Sequence, residues 1–227
     1  MTIRAKLYAA IVLTILGPLA TTAVALHGMS QMGDRFDEVR QSGEREALAR
    51  EIKFSVTDMN GWQTAYGYAG GAFRDRFLAS AAKLRDDLDA GAEAFTDAPE
   101  NGLFAQVQQN FHRFMELDAV AWHSLQNSDP DRTKRILLGP ELRQFETMAD
   151  TADQLADLEV EQATATEDSF DQARDDARKR LIAVALGAGV VIILLLVTAN
   201  DIAKMALEGE RHIRGRKEPE PQSDEPS

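Results

Sequence analysis

The stretch LIAVALGAGVVIILLLVTA, Leu181 to Ala199, carries no charged residue and is long enough to cross about 30 Å of hydrocarbon as one helix. In lipid every backbone N–H and C=O of such a segment must be satisfied within it, so it folds as a helix and constrains everything attached to it. A second apolar run, LYAAIVLTILGPLATTAVALHG from Leu7 to Gly28, is of similar length. Arg4 and Lys6 ahead of it and AVA at 23–25 also suit a secretory leader with a cleavage site. The run is long for a leader and its helical pattern is unbroken, so it is read as a retained anchor.

Arg4 and Lys6 precede the first run, and Lys204, Arg211, Arg214, Arg216 and Lys217 follow the second. Basic residues on short flanks mark the cytoplasmic side, which predicts a two-pass protein of the cytoplasmic membrane with both termini inside. The cluster RKR at 178–180 points the other way, but it belongs to a long segment, and long segments translocate largely regardless of charge. The expected division is an N-terminal transmembrane helix at 1–27, an extracytoplasmic domain at 28–180, a second transmembrane helix at 181–200 and a cytoplasmic tail at 201–227. The tail ends in EPEPQSDEPS, a charged, Pro-rich composition that predicts disorder.

The chain holds 37 Asp and Glu against 25 Lys and Arg, for a formal net charge of −12, and that excess lies between residues 28 and 180. Nucleic acid and anionic lipid are disfavoured as partners of that segment. With no Cys there are no disulfides, which leaves the compartment open.

Within 28–180 the apolar residues recur at three and four positions, the period of amphipathic helices. Met29, Met32, Phe36 and Val39 begin one helix, and after Ser42 and Gly43 it resumes at Leu48, Ile52, Val56, Met59, Trp62 and Tyr66. Gly70 and Gly71 end it in a tight reversal. Phe73, Phe77, Leu84, Leu88 and Phe95 mark a second helix, stopping in TDAPENG. Leu103, Val107, Phe111, Phe114, Val120 and Leu125 mark a third. Asp129 and Pro130 form a cap and first-turn pair for a short piece at 131–138, which Gly139 and Pro140 should end.

A fourth helix follows, with Leu142, Phe145, Ala149, Ala152 and Ala156 opening a seam that continues through Glu159, Ala163, Thr166, Phe170, Ala173 and Ala177. Such a seam specifies coiled-coil packing, and it enters the second apolar run without a break. At 1.5 Å per residue the first and fourth helices span about 60 Å and the others about 35 to 38 Å. The fold predicted is all-α: an antiparallel four-helix bundle of two long and two short helices, flanked by two transmembrane helices.

In that order, the end farthest from the membrane gathers DMNGWQTAYGYAGG (58–71), the end of the third helix and the start of the fourth. Asp58, Asn60, Trp62, Gln63, Tyr66, Trp122, His123 and Arg143 are the candidate ligand-binding residues there, with Tyr68, Arg74 and Arg76 nearby. Arginine forks recognise carboxylates and aromatics supply a rigid apolar wall, so a small carboxylate or amino acid is the expected ligand. The other reading of the same residues is packing: Trp62 and Tyr66 in the core with their polar tips bonded, Asp58 paired with a base, and Arg74 and Arg76 on a solvated face. Both stay open on sequence. His112, His123 and Glu116 share a face of the third helix, but lone histidines on a helix are usually not ligands, and no metal or cofactor is expected. No phosphate loop, nucleophile motif or acid dyad is present, so no enzyme is expected.

The segments DMNGWQTAY, RFLAS at 76–80 and LGPELRQFE at 138–146, with the order span, helices, span, resemble the four-helix-bundle sensor domain of bacterial methyl-accepting chemotaxis receptors, over roughly Met1 to Ala199. The resemblance implies a homodimer that binds a small ligand outside and passes a small helix displacement through its second span. In the amino acid receptors of that family, arginines of the first and fourth bundle helices hold the ligand carboxylate. Here Arg143 lies on the fourth helix, while the first offers only Arg50 and Lys53, below the motif. Such receptors continue into a long cytoplasmic hairpin that contacts a histidine kinase, for which the tail at 201–227 leaves no room. The expectation is therefore a membrane-anchored sensor module for signal transduction or chemotaxis that needs a full-length chemoreceptor or other transmitter as partner. The alternative is a ligand-independent coiled-coil adaptor that modulates such a receptor by forming mixed bundles.

Overall fold

The computed structural model describes residues 3–215; the side chains of residues 3–7 and 208–215, and of Ala9, Ala10, Leu13, Ile202, Met205 and Ala206, lie outside the described set. The predicted tail EPEPQSDEPS therefore lies outside the described residues. Every element among those residues is helical: α1 (Ile3–Tyr68), α2 (Arg74–Ala94), α3 (Glu100–Gln126), α4 (Pro130–Ile136), a π-helical segment (Leu137–Glu141) and α5 (Leu142–Gly215).

Residues 34–171 form one compact unit, and the described residues before 34 and after 171 form another. In the first unit, side chains of four helices meet in one core. The contributions follow helical spacing: Ile52, Val56, Met59 and Tyr66 from α1; Phe77, Ala81, Leu84 and Leu88 from α2; Phe104, Val107, Phe111 and Phe114 from α3; Met148, Ala152, Leu155 and Ala156 from α5. Polar pairs tie the same helices together at the edges of the core. Ser55 Oγ donates to Asp87 at 2.6 Å between α1 and α2, Lys53 pairs with Asp153 at 2.9 Å between α1 and α5, and Gln144 donates to Asn110 at 2.6 Å between α5 and α3.

The turn after α1 is built as its glycines require. Gly70 and Gly71 have φ of 61° and 96°, and Gly71 N–H donates to the Tyr66 carbonyl at 2.8 Å, closing the helix end. Asp129 caps α4 by accepting from Arg132 N–H at 2.9 Å, with Pro130 in the first turn. The expected stop at Gly139 and Pro140 does not occur. Pro140 lacks the N–H that an α-helical ladder needs, and the chain accommodates it by widening to a π turn that leads directly into α5.

Among the described residues, one helical run, Pro130–Asp201, contains a stretch long and apolar enough to cross a membrane, and none of that stretch is buried. Leu186, Ile193 and Leu196 all face outward there. The first expected span, Leu7 to Gly28, lies in α1, and part of its side chains fall outside the described set; Ile15, Leu19 and Leu26 within it are exposed.

Close packing of α2 on α3 gives a direct test. Gly91 is buried in α2, and a Cβ there would lie 2.4 Å from the Phe104 ring. Gly91→Ala is expected to lower stability by roughly 1–3 kcal/mol through overpacking, despite the better helix propensity of Ala. Gly61 lies in α1 with nothing within 4 Å of the same position. Gly61→Ala should raise stability by about 0.5–1 kcal/mol. Urea midpoints of the two variants check the opposite signs, and destabilisation by Gly61→Ala would contradict the placement.

Candidate functional site

The start of α2 brings Arg74 over three rings at once. Its guanidinium carbon lies 4.8 Å from the Tyr66 centroid, 4.7 Å from Phe77 and 4.9 Å from Trp122. Tyr66 packs edge-on to Trp122 at 5.8 Å and tilted on Phe77 at 5.4 Å. Inside this box Arg74 forms a fork with Asp118 of α3, both N–H···O distances being 2.6 Å, and the Tyr66 hydroxyl donates to the same carboxylate. Asp118 is 1% exposed and the Arg74 side chain 14%, so the carboxylate is desolvated and the fork is closed on it. Burial lowers the guanidinium's proton affinity, but the hydrogen bonds and charge of Asp118 more than offset it. Burial, followed by the charge of Asp118, pushes the Tyr66 phenol far above its ordinary value, so it remains a donor.

Beside this pair lies a second buried polar group. Glu141, the last residue of the π turn, is 1% exposed; its Oε1 accepts from Gln63 Nε2 at 2.7 Å, and its Oε2 has no partner. Burial first, and then the charge of Asp118, raise its pKa to about 8, against the Gln63 hydrogen bond and the charge of Arg74. Glu141 is thus a protonated, neutral acid at pH 7. Glu159, fully buried on α5, is raised in the same direction by burial, with Arg45 at 3.3 Å opposing and Glu100 reinforcing.

The eight residues expected at the site divide. Gln63, Tyr66 and Trp122 are brought together around Arg74, Asp118 and Glu141. Trp62 takes a neighbouring position, packed on Phe73 at 6.0 Å with Arg76 stacked over it at 4.7 Å. Asp58 faces α2 and accepts from Ser80 Oγ. His123 is exposed and bonded to Asn127 at 2.9 Å, and Arg143 is exposed on α5. Asn60 is half-buried and lines a separate cavity. The arginine in the cluster is therefore Arg74, not Arg143, and it already holds a carboxylate of the chain itself.

The cavity occupies about 250 Å³ where the last turns of α1 meet α4 and the π turn. Leu125, Leu137, Leu138 and Leu142 supply its apolar wall. Asn60, Gln63, Thr64, Thr133 and the exposed Tyr68 supply the polar side chains, and Lys134 is the one charged residue that lines it. Gly67 also lines it, and a Cβ there would lie 2.5 Å from Leu137 Cδ1, so the glycine keeps that wall in place. A second hollow of about 290 Å³ between α2 and α3 is more open and is bordered by Arg85, Asp89 and His112. His112 pairs with Glu116 at 3.3 Å, both exposed, and no grouping of three metal-binding side chains occurs among the described residues.

Asp118 and Glu141 are the residues that motif reading missed. Both were within reach of the helical period: Asp118 continues the buried stripe Phe104, Val107, Phe111, Phe114, and Glu141 lies seven residues before Met148 on the seam of α5. No protein-family model, no curated protein and no solved structure matches the chain.

Proposed function

We propose that the chain is a membrane-anchored sensor module. In this reading residues 28–180 form an antiparallel four-helix bundle outside the cytoplasmic membrane, held by two transmembrane helices with both termini in the cytoplasm. The bundle binds a small molecule at its distal end, works as a homodimer, and delivers the signal to a full-length chemoreceptor or other transmitter in the same membrane. The observation that carries this reading is one of continuity. The π turn whose leucines wall the cavity opens directly into α5, and α5 runs unbroken through the apolar stretch. Packed interfaces respond to a ligand by small helix shifts, and a continuous helix carries such a shift along its own axis. Two further features support it: the cavity is lined by five separate elements, α1, α3, α4, the π turn and α5, and the buried acid next to it sits in a π turn, a distortion common at functional sites.

The test uses the full-length chain in lipid nanodiscs. A thermal-shift screen read by Trp fluorescence should find at least one compound among amino acids, organic acids, sugars and small uncharged aromatics that stabilises saturably, by about 2.7 kcal/mol at a hundredfold excess over Kd. No shift across the whole set, together with a receptor that copurifies without ligand, would favour the adaptor instead. Phe54, 61% exposed on α1, is the feature that favours the adaptor, as an apolar contact left open for a partner helix. Against it, Ala152 and Ala156 of the α5 seam are already buried in the chain's own core.

A further inference from the structure

We infer that the cavity at the π turn holds a small uncharged molecule, chiefly apolar and with one hydrogen-bond donor, of the size and polarity of indole or phenol. The inference rests on the sensor reading and replaces the carboxylate or amino acid expected from sequence with a different ligand class.

The charges around the cavity decide the class. A buried charge is costly unless a counter-charge meets it. An anion would need a desolvated cation in the wall, but Arg74 is engaged by Asp118 through both arms of its fork, and Lys134, which does line the cavity, is exposed and keeps its charge hydrated, so it offers an enclosed anion only a screened contact. A cation would need a carboxylate, and no Asp or Glu lines the cavity. The nearest acid, Glu141, is itself enclosed and hydrogen-bonded to Gln63. Burial holds it neutral at pH 7, so it offers a cation little attraction. A neutral guest requires none of these counter-charges.

Volume and polarity narrow the class further. An apolar cavity of about 150 Å³ accommodates benzene, so about 250 Å³ admits a guest of roughly ten non-hydrogen atoms. The four leucines of the wall match an aromatic or aliphatic body. Gln63 donates its amide N–H to Glu141, which leaves its amide oxygen as an acceptor in a residue that lines the cavity. A guest O–H or N–H satisfies that oxygen, and Gln63 then joins guest and buried acid in one hydrogen-bonded chain.

The experiment is isothermal titration of the full-length chain in nanodiscs with four probes of similar size: indole, phenol, benzoate and benzylamine. Empty nanodiscs serve as the partitioning control. Indole and phenol are expected to bind saturably and at least tenfold more tightly than either charged probe. Two variants fill the cavity by different routes. Gly67→Ala adds a methyl to the lining and forces Leu137 of the wall to shift, and Leu138→Trp enlarges a lining side chain that is 49% exposed and tolerant of size. Each should weaken indole binding at least tenfold, whereas Gly61→Ala should leave it unchanged; melting curves identify any variant that fails to fold, and the other then carries the comparison. Equal or tighter binding of benzoate or benzylamine, or indole binding undiminished in folded variants, overturns the ligand class but leaves the sensor reading standing. Absence of binding by all four probes also overturns the ligand class, and the broader thermal-shift screen then decides the sensor reading on its own.

Discussion

Replacing Arg74 by Ala is expected to lower the stability of the helical unit by about 3–5 kcal/mol, the usual cost of leaving a buried charge without its partner. The carboxylate left behind is Asp118, 1% exposed, with only the Tyr66 hydroxyl still donating to it. The three rings around the guanidinium also lose their contact with it, which adds to the loss. Removing both partners should cost much less than the sum of the single losses, because Arg74→Leu with Asp118→Leu leaves no unpaired charge and an apolar box of similar volume. Chemical denaturation of the two single variants and the double variant measures the coupling. A loss under 1 kcal/mol for Arg74→Ala would mean that solvent, not Asp118, satisfies the guanidinium, and the closed cluster would have to be abandoned. The same result would reopen carboxylate recognition, since a solvated Arg74 is free to hold a ligand.

The helices were legible because their apolar residues keep one period for long stretches. Ile52, Val56 and Met59 in α1, and Phe111 and Phe114 in α3, were placed on the core face by spacing alone, and they are buried. The turn at Gly70 and Gly71 and the cap at Asp129 were legible for a local reason: few residues tolerate the backbone or make the bond that those positions need. The junction at Gly139 and Pro140 was not legible. A proline after a glycine normally ends a helix, and only the burial of Glu141 and the packing of Leu137 on Gly67 show why the chain keeps winding there.

At the candidate site Tyr66 and Trp122 come together as their spacing implied, but the arginine they surround is Arg74 rather than Arg143. Arg143 and Arg74 are both close to the cluster in sequence order, and which of them turns inward depends on the angle at which each helix begins. Asp118 escaped notice because an acid on an apolar stripe reads as an exception, whereas here it is the acceptor around which Tyr66 and Arg74 are arranged. Val120, read as core, is 44% exposed, and Ala121 beside it is buried. The stripe of α3 is therefore turned by one residue relative to the sequence reading over its last two turns.

Stability should fall as pH rises from 5 to 8, the reverse of a protein whose carboxylates are all favourably paired. Glu141 has a pKa of about 8 in the folded chain and an ordinary value near 4.5 when unfolded. A raised pKa means that the folded state binds the proton more tightly, so this stabilisation is fully present below about pH 4.5 and is lost as pH rises through about 8. At about 1.4 kcal/mol per unit, the loss between pH 5 and pH 8 is on the order of 3 kcal/mol from this residue. Glu159 is raised as well and acts in the same direction. The groups that face Glu141 do not cancel it in this window: Asp118 and Arg74 are paired with each other, Tyr66 stays protonated far above pH 8, and Gln63 does not titrate. Glu141→Gln keeps an acceptor for Gln63 and cannot ionise, but its amide puts two N–H donors where the neutral acid has one partnerless O–H, and the extra unsatisfied donor costs about 1–3 kcal/mol. The variant should therefore be the less stable protein at pH 5, lose much less stability on going to pH 8, and equal or exceed the parent there. Denaturant titrations of both proteins at pH 5, 6.5 and 8 give the two slopes. Parallel slopes would show that Glu141 is already ionised in the fold, and a charged acid beside the cavity would then favour a cationic guest over a neutral one.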